Sequence, residues 1–324
     1  MKRYGYILFG LFCLLIQVGC TAGEMYGREE ETPEQEMPVP VTLRAGSTTR
    51  AVVNEGDAFE PVLVCSDRED FSGGLRWQKN ATVDVAGEVA YEGETPAYPS
   101  LGDNIYVAGL NPQGAILPGD GTAVYTLDAN SDLMYAAPLK GNRWDGFRIC
   151  GNTDATKDKV MEFNHLLSQV QLAAIRTAKD LAGLNDFRIT KVTWKNVATT
   201  ATVQLKPVVG EGAEQVSFST VATLPSVLYK DKNDETKTVL VTSHNEAAPD
   251  AVGYALLPPA GSYLADVETS VGTFTDLTVK PDEGGFEGGY AHQIVLVLND
   301  KGLSIRGVRL EDWENIDGGV TDAN

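Results

Sequence analysis

Ala201-Thr-Val203-Gln-Leu205-Lys206 alternates apolar and polar side chains without a break, and two later stretches repeat the pattern. Tyr263, Ala265 and Val267 interleave with Leu264, Asp266 and Glu268, and Leu277 and Val279 interleave with Asp276 and Thr278. Successive side chains of a strand point to opposite faces, so a period of two predicts strands with one buried face. Ile294–Leu298 is instead a continuous, largely β-branched apolar run, which predicts a strand covered on both faces. Asn299-Asp-Lys-Gly302 then turns the chain into Leu303–Trp313. There the apolar phase slips from Leu303 and Ile305 to Val308 and Leu310 across Gly307, as a β-bulge would produce. Short strands separated by Gly, Pro, Asn and Asp clusters predict an all-β chain built from β-sandwiches. One segment reads two ways. Val160, Phe163, Leu167, Val170 and Ala174 make a helical face, yet Met161, Phe163 and His165, then Val170, Leu172 and Ala174, make two strands around a turn. Periodicity alone leans to the helix.

Composition narrows the function classes. The 324 residues carry 26 Lys and Arg against 45 Asp and Glu, a formal charge of −19. Phosphate binding needs clustered Lys and Arg, so nucleic acid is excluded as a partner. The start of the sequence is expected to be an export signal. Lys2 and Arg3 precede an apolar run from Ile7 to Val18, the length of a signal h-region and short of a membrane span. The run ends at Gln17-Val18-Gly19-Cys20, which resembles a lipobox with Gln17 in the usual place of Leu. Residues 1–20 are therefore expected to be a lipoprotein signal ending at the lipidated Cys20. Residues 21–38, with Glu24, Glu29, Glu30, Glu31, Glu34, Glu36, Pro33 and Pro38, bury too little to order themselves and are expected to be an acidic tether. Two cysteines remain, Cys65 and Cys150, and spacing alone leaves their pairing open.

No catalytic, cofactor or metal constellation emerges. His165, His244 and His292 lie far apart with no ligand spacing around them, and H-E-x-x-H, C-x-x-C, G-x-S-x-G and P-loop motifs are absent. Asp128-Ala-Asn130-Ser-Asp132 starts like a calcium loop but continues with Leu133 where the glycine is needed and Leu139 where the bidentate Glu is needed. A polar turn is the expected reading, and the chain is not expected to be an enzyme.

Three groups of residues resemble the fimbrillin family, the lipoprotein-derived pilins of Bacteroidetes. Val39-Pro-Val41-Thr-Leu43-Arg-Ala-Gly-Ser-Thr-Thr-Arg50-Ala51 is similar to the family's first strand, which ends at an arginine followed by Ala. Phe163-Asn-His165-Leu-Leu-Ser168-Gln-Val170 resembles its apolar-x-His stretch. Tyr254-Ala-Leu-Leu257-Pro258, Phe286-Glu-Gly-Gly289-Tyr290 and Gly307-Val-Arg-Leu310-Glu-Asp-Trp313 are similar to its closing strands. The resemblance implies two tandem transthyretin-like β-sandwich domains, 39–155 and 156–324, and makes 160–175 a pair of strands. It also implies a mode of assembly. A trypsin-like or gingipain-like protease clips after an arginine, here Arg50 before Ala51, with Arg44 as the competing site. The first strand, with Val39, Val41 and Leu43 on one face, is removed, and a neighbouring subunit's segment fills its place. The partners implied are other fimbrillin-type subunits, that protease, the outer membrane through the lipid, and a host or bacterial surface ligand. After Trp313 the tail offers only Ile316 and Val320 on one face with Gly318 between them, a poor donor strand. The chain is thus expected to accept a strand more readily than give one, as a tip or accessory subunit would. The competing reading is a non-polymerising surface lipoprotein that binds glycan or protein through Trp77, Trp144, Trp194 or Trp313, although buried aromatics are more often core.

Overall fold

A computed structural model describes residues 37–47, 58–148, 158–177, 186–207, 215–229, 238–281, 284–299 and 302–311. Every regular element among them is a strand. In chain order these are β1 (Arg44–Ser47), β2 (Val62–Ser66), β3 (Trp77–Val83), β4 (Val89–Tyr91), β5 (Ile105–Asn111) and β6 (Thr122–Thr126). Next come β7 (Met134–Gly141), β8 (Val160–His165), β9 (Ser168–Arg176), β10 (Arg188–Gln204), β11 (Val216–Pro225) and β12 (Val227–Leu228). The last six are β13 (Val239–Leu240), β14 (Asp250–Leu257), β15 (Tyr263–Thr269), β16 (Gly272–Val279), β17 (Ala291–Asn299) and β18 (Gly302–Glu311). The chain is all-β, as the alternation predicts.

Three sheets carry the fold: β1-β8-β7-β5-β2-β3-β4, then β11-β10-β15-β16 with β6 and β13 also on β10, and β12-β14-β9-β17-β18. Strand β10 is the spine. Its first half contributes Ile189, Val192, Trp194 and Val197 to a core shared with β9, β14, β15 and β17. Its second half places Ala201 and Val203 on β6 and against β2, β5 and β7 in a separate core. The side chains change phase midway along β10, where the register with β11 shifts between Trp194 and Val197 and Asn196 has φ 54°. That bulge lets one strand serve two cores.

The alternating stretches are arranged as their sequence demands. Ala201, Val203 and Leu205 are buried and Thr202, Gln204 and Lys206 are not, and β15 buries Tyr263, Ala265 and Val267 in the same way. Strand β17 is flanked by β9 and β18, and Ile294 pairs with Val308 while Val295 pairs with Arg306, so Gly307 is the extra residue of the bulge. The ambiguous segment forms β8 and β9, not a helix. Strand β8 buries Met161, Phe163 and His165 and exposes Val160, while β9 is buried at all nine positions. The helical spacing there arises because a strand covered on both faces offers apolar residues at every interval. The expected junction at 155/156 lies outside the described residues. Strands from either side of it pair, β8 with β1 and β7, and β6 with β10.

Candidate strand-binding groove

The sheet containing β2 is covered on both faces, so β2 reads Val-Leu-Val-Cys-Ser with every residue buried. Val62 and Val64 join the core against β6 and β10, while Leu63 and Cys65 face a third core that the sheet encloses by curling. The first segment closes that curl. Strand β1 runs parallel to β8, with Ala45 opposite Met161 and Ser47 opposite Phe163. On its other side Ala45 N–H donates to Gly87 O at 2.9 Å, Val41 N–H to Pro96 O at 2.8 Å, and Val39 O accepts from Tyr98 N–H at 2.9 Å. Residues 39–47 thus lie between two backbone edges, β8 and the 87–98 stretch. Close approach on the second side requires glycine. Gly87 has φ +77°, and a Cβ there would meet Ala45 O at 2.7 Å.

Val41, Leu43 and Ala45 are each at most 2% exposed and pack with Phe59, Leu63, Cys65, Val107, Met161 and Phe163. Val39 is only partly buried at the mouth. Gly109 of β5 makes room beneath, since a Cβ there would lie 2.3 Å from the Phe163 ring. Cys65 is a free thiol on the floor, and burial pushes its pKa up to about 12 despite opposition from nearby Arg76. A protonated, covered sulfur of this kind is inert as a nucleophile. Arg44, the competing cleavage position, is the first residue of β1; its guanidinium donates to Ala86 O at 2.8 Å and lies 3.6 Å from the Glu88 carboxylate. Glu88 is also paired with Arg148.

Ser47 carries the inward alternation one step further and meets a polar group that sequence reading passes over. Its Oγ lies 3.2 Å from His165 Nε2, and His165 Nδ1 lies 2.8 Å from Asp132 Oδ2. The second approach is close, but its direction falls short of hydrogen-bond alignment. All three residues are buried, at 7, 5 and 5% exposure. Asp132 is fixed by Asn111 Nδ2, which donates to its carbonyl at 3.0 Å. The order Ser–His–Asp is that of a hydrolytic relay, but a nucleophile needs room for a carbonyl carbon against its oxygen. Ser47 is covered, and the cavities beside Lys195 and Tyr263 and beside Asp67 and Arg76 are lined by other residues. The arrangement ties the end of β1 to the body. The available signal was Ser47's place on the same face as Val41, Leu43 and Ala45; nothing in the sequence marked Asp132 beyond a turn.

The other sequence candidates are spread apart. Asp128 accepts from the N–H groups of Asn130 and Ser131 and so holds a polar turn. His244 Nδ1 contacts Arg176 O at 2.7 Å, and His292, buried against Phe286, accepts from Glu287 N–H at 3.3 Å. Burial holds the His292 pKa below the ordinary histidine value, against the pull of Glu287. Trp194 is core, Trp77 packs edge-on against Tyr91, and Trp144 is 74% exposed. Cys20, Arg50, Ala51, Cys150, Trp313 and the tail lie outside the described residues.

The fold is similar to that of a candidate cell adhesion protein from Bacteroides uniformis, with TM-score 0.53 and 15% identity over 85% of this chain and 98% of that one. A second, from Bacteroides ovatus, gives TM-score 0.54 and 14% identity over 87% of this chain and 100% of the other. At these identities the likeness is one of fold. No curated protein sequence matches. The sequence profile described as fimbrillin-like matches residues 49–313. The chain belongs to the fimbrillin-like family, a family of fimbrial and surface-adhesion subunits.

Proposed function

We propose that this chain is a fimbrial subunit, lipidated at Cys20 and carried to the outer-membrane surface, that accepts a neighbour's strand after its own residues up to Arg50 are released. The observation that carries this reading is the placement of Val41, Leu43 and Ala45. They fill a core whose other members belong to the body, on a segment held by backbone bonds along both sides. Release would leave an apolar trough with two unpaired edges, which is what strand addition requires. Arg50 is favoured over Arg44 as the processing site, because Arg44 already lies in a paired strand and proteases need an extended, unpaired backbone. The weak apolar pattern of the tail after Trp313 supports a tip or accessory position.

Recovery of the protein from cell surfaces tests this. The expected first residue is Ala51 in assembled material. Arg50→Ala should leave the segment attached and prevent incorporation, and Cys20→Ala should lose fatty-acid labelling and membrane association. Full incorporation of Arg50→Ala with residues 21–50 retained would contradict the proposal. That outcome would instead favour a non-polymerising surface lipoprotein that binds glycan or protein. Trp144, exposed with the Arg143 guanidinium 6.0 Å from its ring, is the side chain best placed for stacking in that case.

A further inference from the structure

We infer that the chain carries a binding site for a neutral saccharide where β5 begins and β7 ends, with Trp144 as its platform and Asp67, Arg76, Asp103, Asn104 and Tyr106 around an adjoining cleft. All of these residues lie beyond Arg50, so the site belongs to the body whether or not the first segment is exchanged. Trp144 is exposed, yet its position is fixed. Asn142 Oδ1 accepts from the N–H groups of Trp144 at 2.9 Å and Asp145 at 2.8 Å, which closes a tight polar turn after β7. Asn142 Nδ2 donates to Asn104 Oδ1 at 3.0 Å and Arg143 donates to Ser100 O at 2.7 Å, so that turn is stapled to residues 100–104. The indole rests on Gly102, φ +75°, where a Cβ would fall 1.6 Å from a ring atom. Burial does not account for the ring, which stays 74% exposed beside the equally exposed Leu101. Apolar side chains standing singly on a surface need no explanation, but this one is held in place and has an apolar neighbour. A ring positioned in advance loses little freedom when a ligand stacks on it.

The turn beneath the ring leads directly into the cleft. Asp103 and Asn104, the two residues after Gly102, line a cavity of about 430 Å³ together with Tyr106, Asp67 and Arg76. That size falls within the ~300–1,000 Å³ of small-molecule sites. Arg76 is paired with Asp67 at 3.0 Å. The Asp103 carboxylate, Asn104 Nδ2 and the Tyr106 hydroxyl have no hydrogen-bond partner among the described residues. A ligand spanning the surface therefore meets an apolar ring on one side and, on the other, a carboxylate, an amide and a phenol. A pyranose offers a C–H face to the first and hydroxyls that both donate and accept to the rest. A lipid chain would leave those polar groups unpaired. A peptide has no backbone edge to join, because β2 and β5 each have strands on both sides. Anionic sugars are disfavoured as well. With Arg76 held by Asp67, the unpaired charge on the cleft wall is that of Asp103, in a chain of net charge −19.

The test uses the chain from residue 21 to 324 on arrays of neutral hexose and N-acetylhexosamine oligosaccharides, with sialylated and sulfated counterparts. The expected result is saturable binding to a neutral oligosaccharide. Trp144→Ala should weaken it by at least about tenfold, and Asp103→Ala and Tyr106→Phe by roughly three- to tenfold each. Trp144→Phe should retain part of the binding, because the smaller ring still stacks. Urea midpoints of Trp144→Ala and Asp103→Ala should match that of the unsubstituted chain, since both side chains are exposed, and this separates a lost contact from a lost fold. The proposal is overturned if no neutral oligosaccharide binds, if binding is indifferent to Trp144→Ala and Asp103→Ala, or if the sialylated and sulfated forms bind more tightly. A silent array, with a peptide from a random display library retained in a Trp144-dependent way, would overturn it in favour of a protein partner. None of these outcomes bears on strand acceptance, which the fate of Arg50→Ala decides separately.

Discussion

A chain that starts at Ala51 will be far less stable than one that keeps residues 38–50, and the missing peptide added in trans will restore most of the loss. Val41 and Leu43 are fully buried in the enclosed core. Covering two such side chains contributes about 3–6 kcal/mol, against a total of about 5–15 kcal/mol for an ordinary domain. The backbone loses partners as well. Gly87 and Pro96 carbonyls and the outer edge of β8 would all face water or nothing. Urea denaturation of the two chains should show a clearly lower midpoint for the shorter one, moving back as peptide is added. Equal midpoints would mean that the first segment is a passive cover.

The second large effect lies in the other half of the molecule. Trp194→Ala should destabilise the protein by about 3–5 kcal/mol, the range for removing a large buried aromatic. Trp194 is fully buried beside the β10 bulge, its ring meets Tyr263 edge-on at 5.9 Å, and its Nε1–H donates to Ser226 Oγ at 2.7 Å. Tyr263 in turn packs on Phe286 at 5.0 Å, so one truncation loosens aromatic contact that runs from β10 through β15 to the segment between β16 and β17. Trp194→Phe keeps most of the volume and loses the hydrogen bond to Ser226, so it should cost less. A loss below about 1 kcal/mol for the alanine variant would show that this core is not centred on Trp194.

Strands with one wet face announced themselves. Ala201, Val203 and Leu205 and the Tyr263–Val267 stretch needed only period-two reading, because water on one side forces polar residues into alternate places. The bulge at Gly307 was equally legible as a phase slip. Strand β9 was not, because a strand buried on both faces has no polar alternation to display, and its apolar residues match a helix as well as a strand. The groove was half legible. The face of Val41 and Leu43 is a local pattern. That Ser47, His165 and Asp132 meet is a product of the parallel pairing of β1 with β8 and of the fixing of Asp132 by Asn111. Contacts across such sequence distances leave no trace in local spacing. The double use of β10 was hidden for the same reason: its neighbours on one side come from both halves of the chain, β15 and β6.

Cys65 reports directly on whether residues 39–47 are a replaceable plug. It lies on the groove floor, fully covered, with a thiol that burial pushes up to about 12, so both access and ionisation protect it while the first segment is in place. The measurement is the alkylation rate of Cys65 in chains lacking the first twenty residues and carrying Cys150→Ser, so that no other thiol reacts. Three forms are compared: intact, shortened to start at Ala51, and shortened with an excess of the 38–50 peptide, with circular dichroism recorded for each. The expected result is slow reaction, reaction faster by at least about tenfold, and slow reaction again. Equal protection of Cys65 in the intact and shortened chains, or a shortened chain whose fast reaction the peptide leaves unchanged, would contradict strand replacement in this groove.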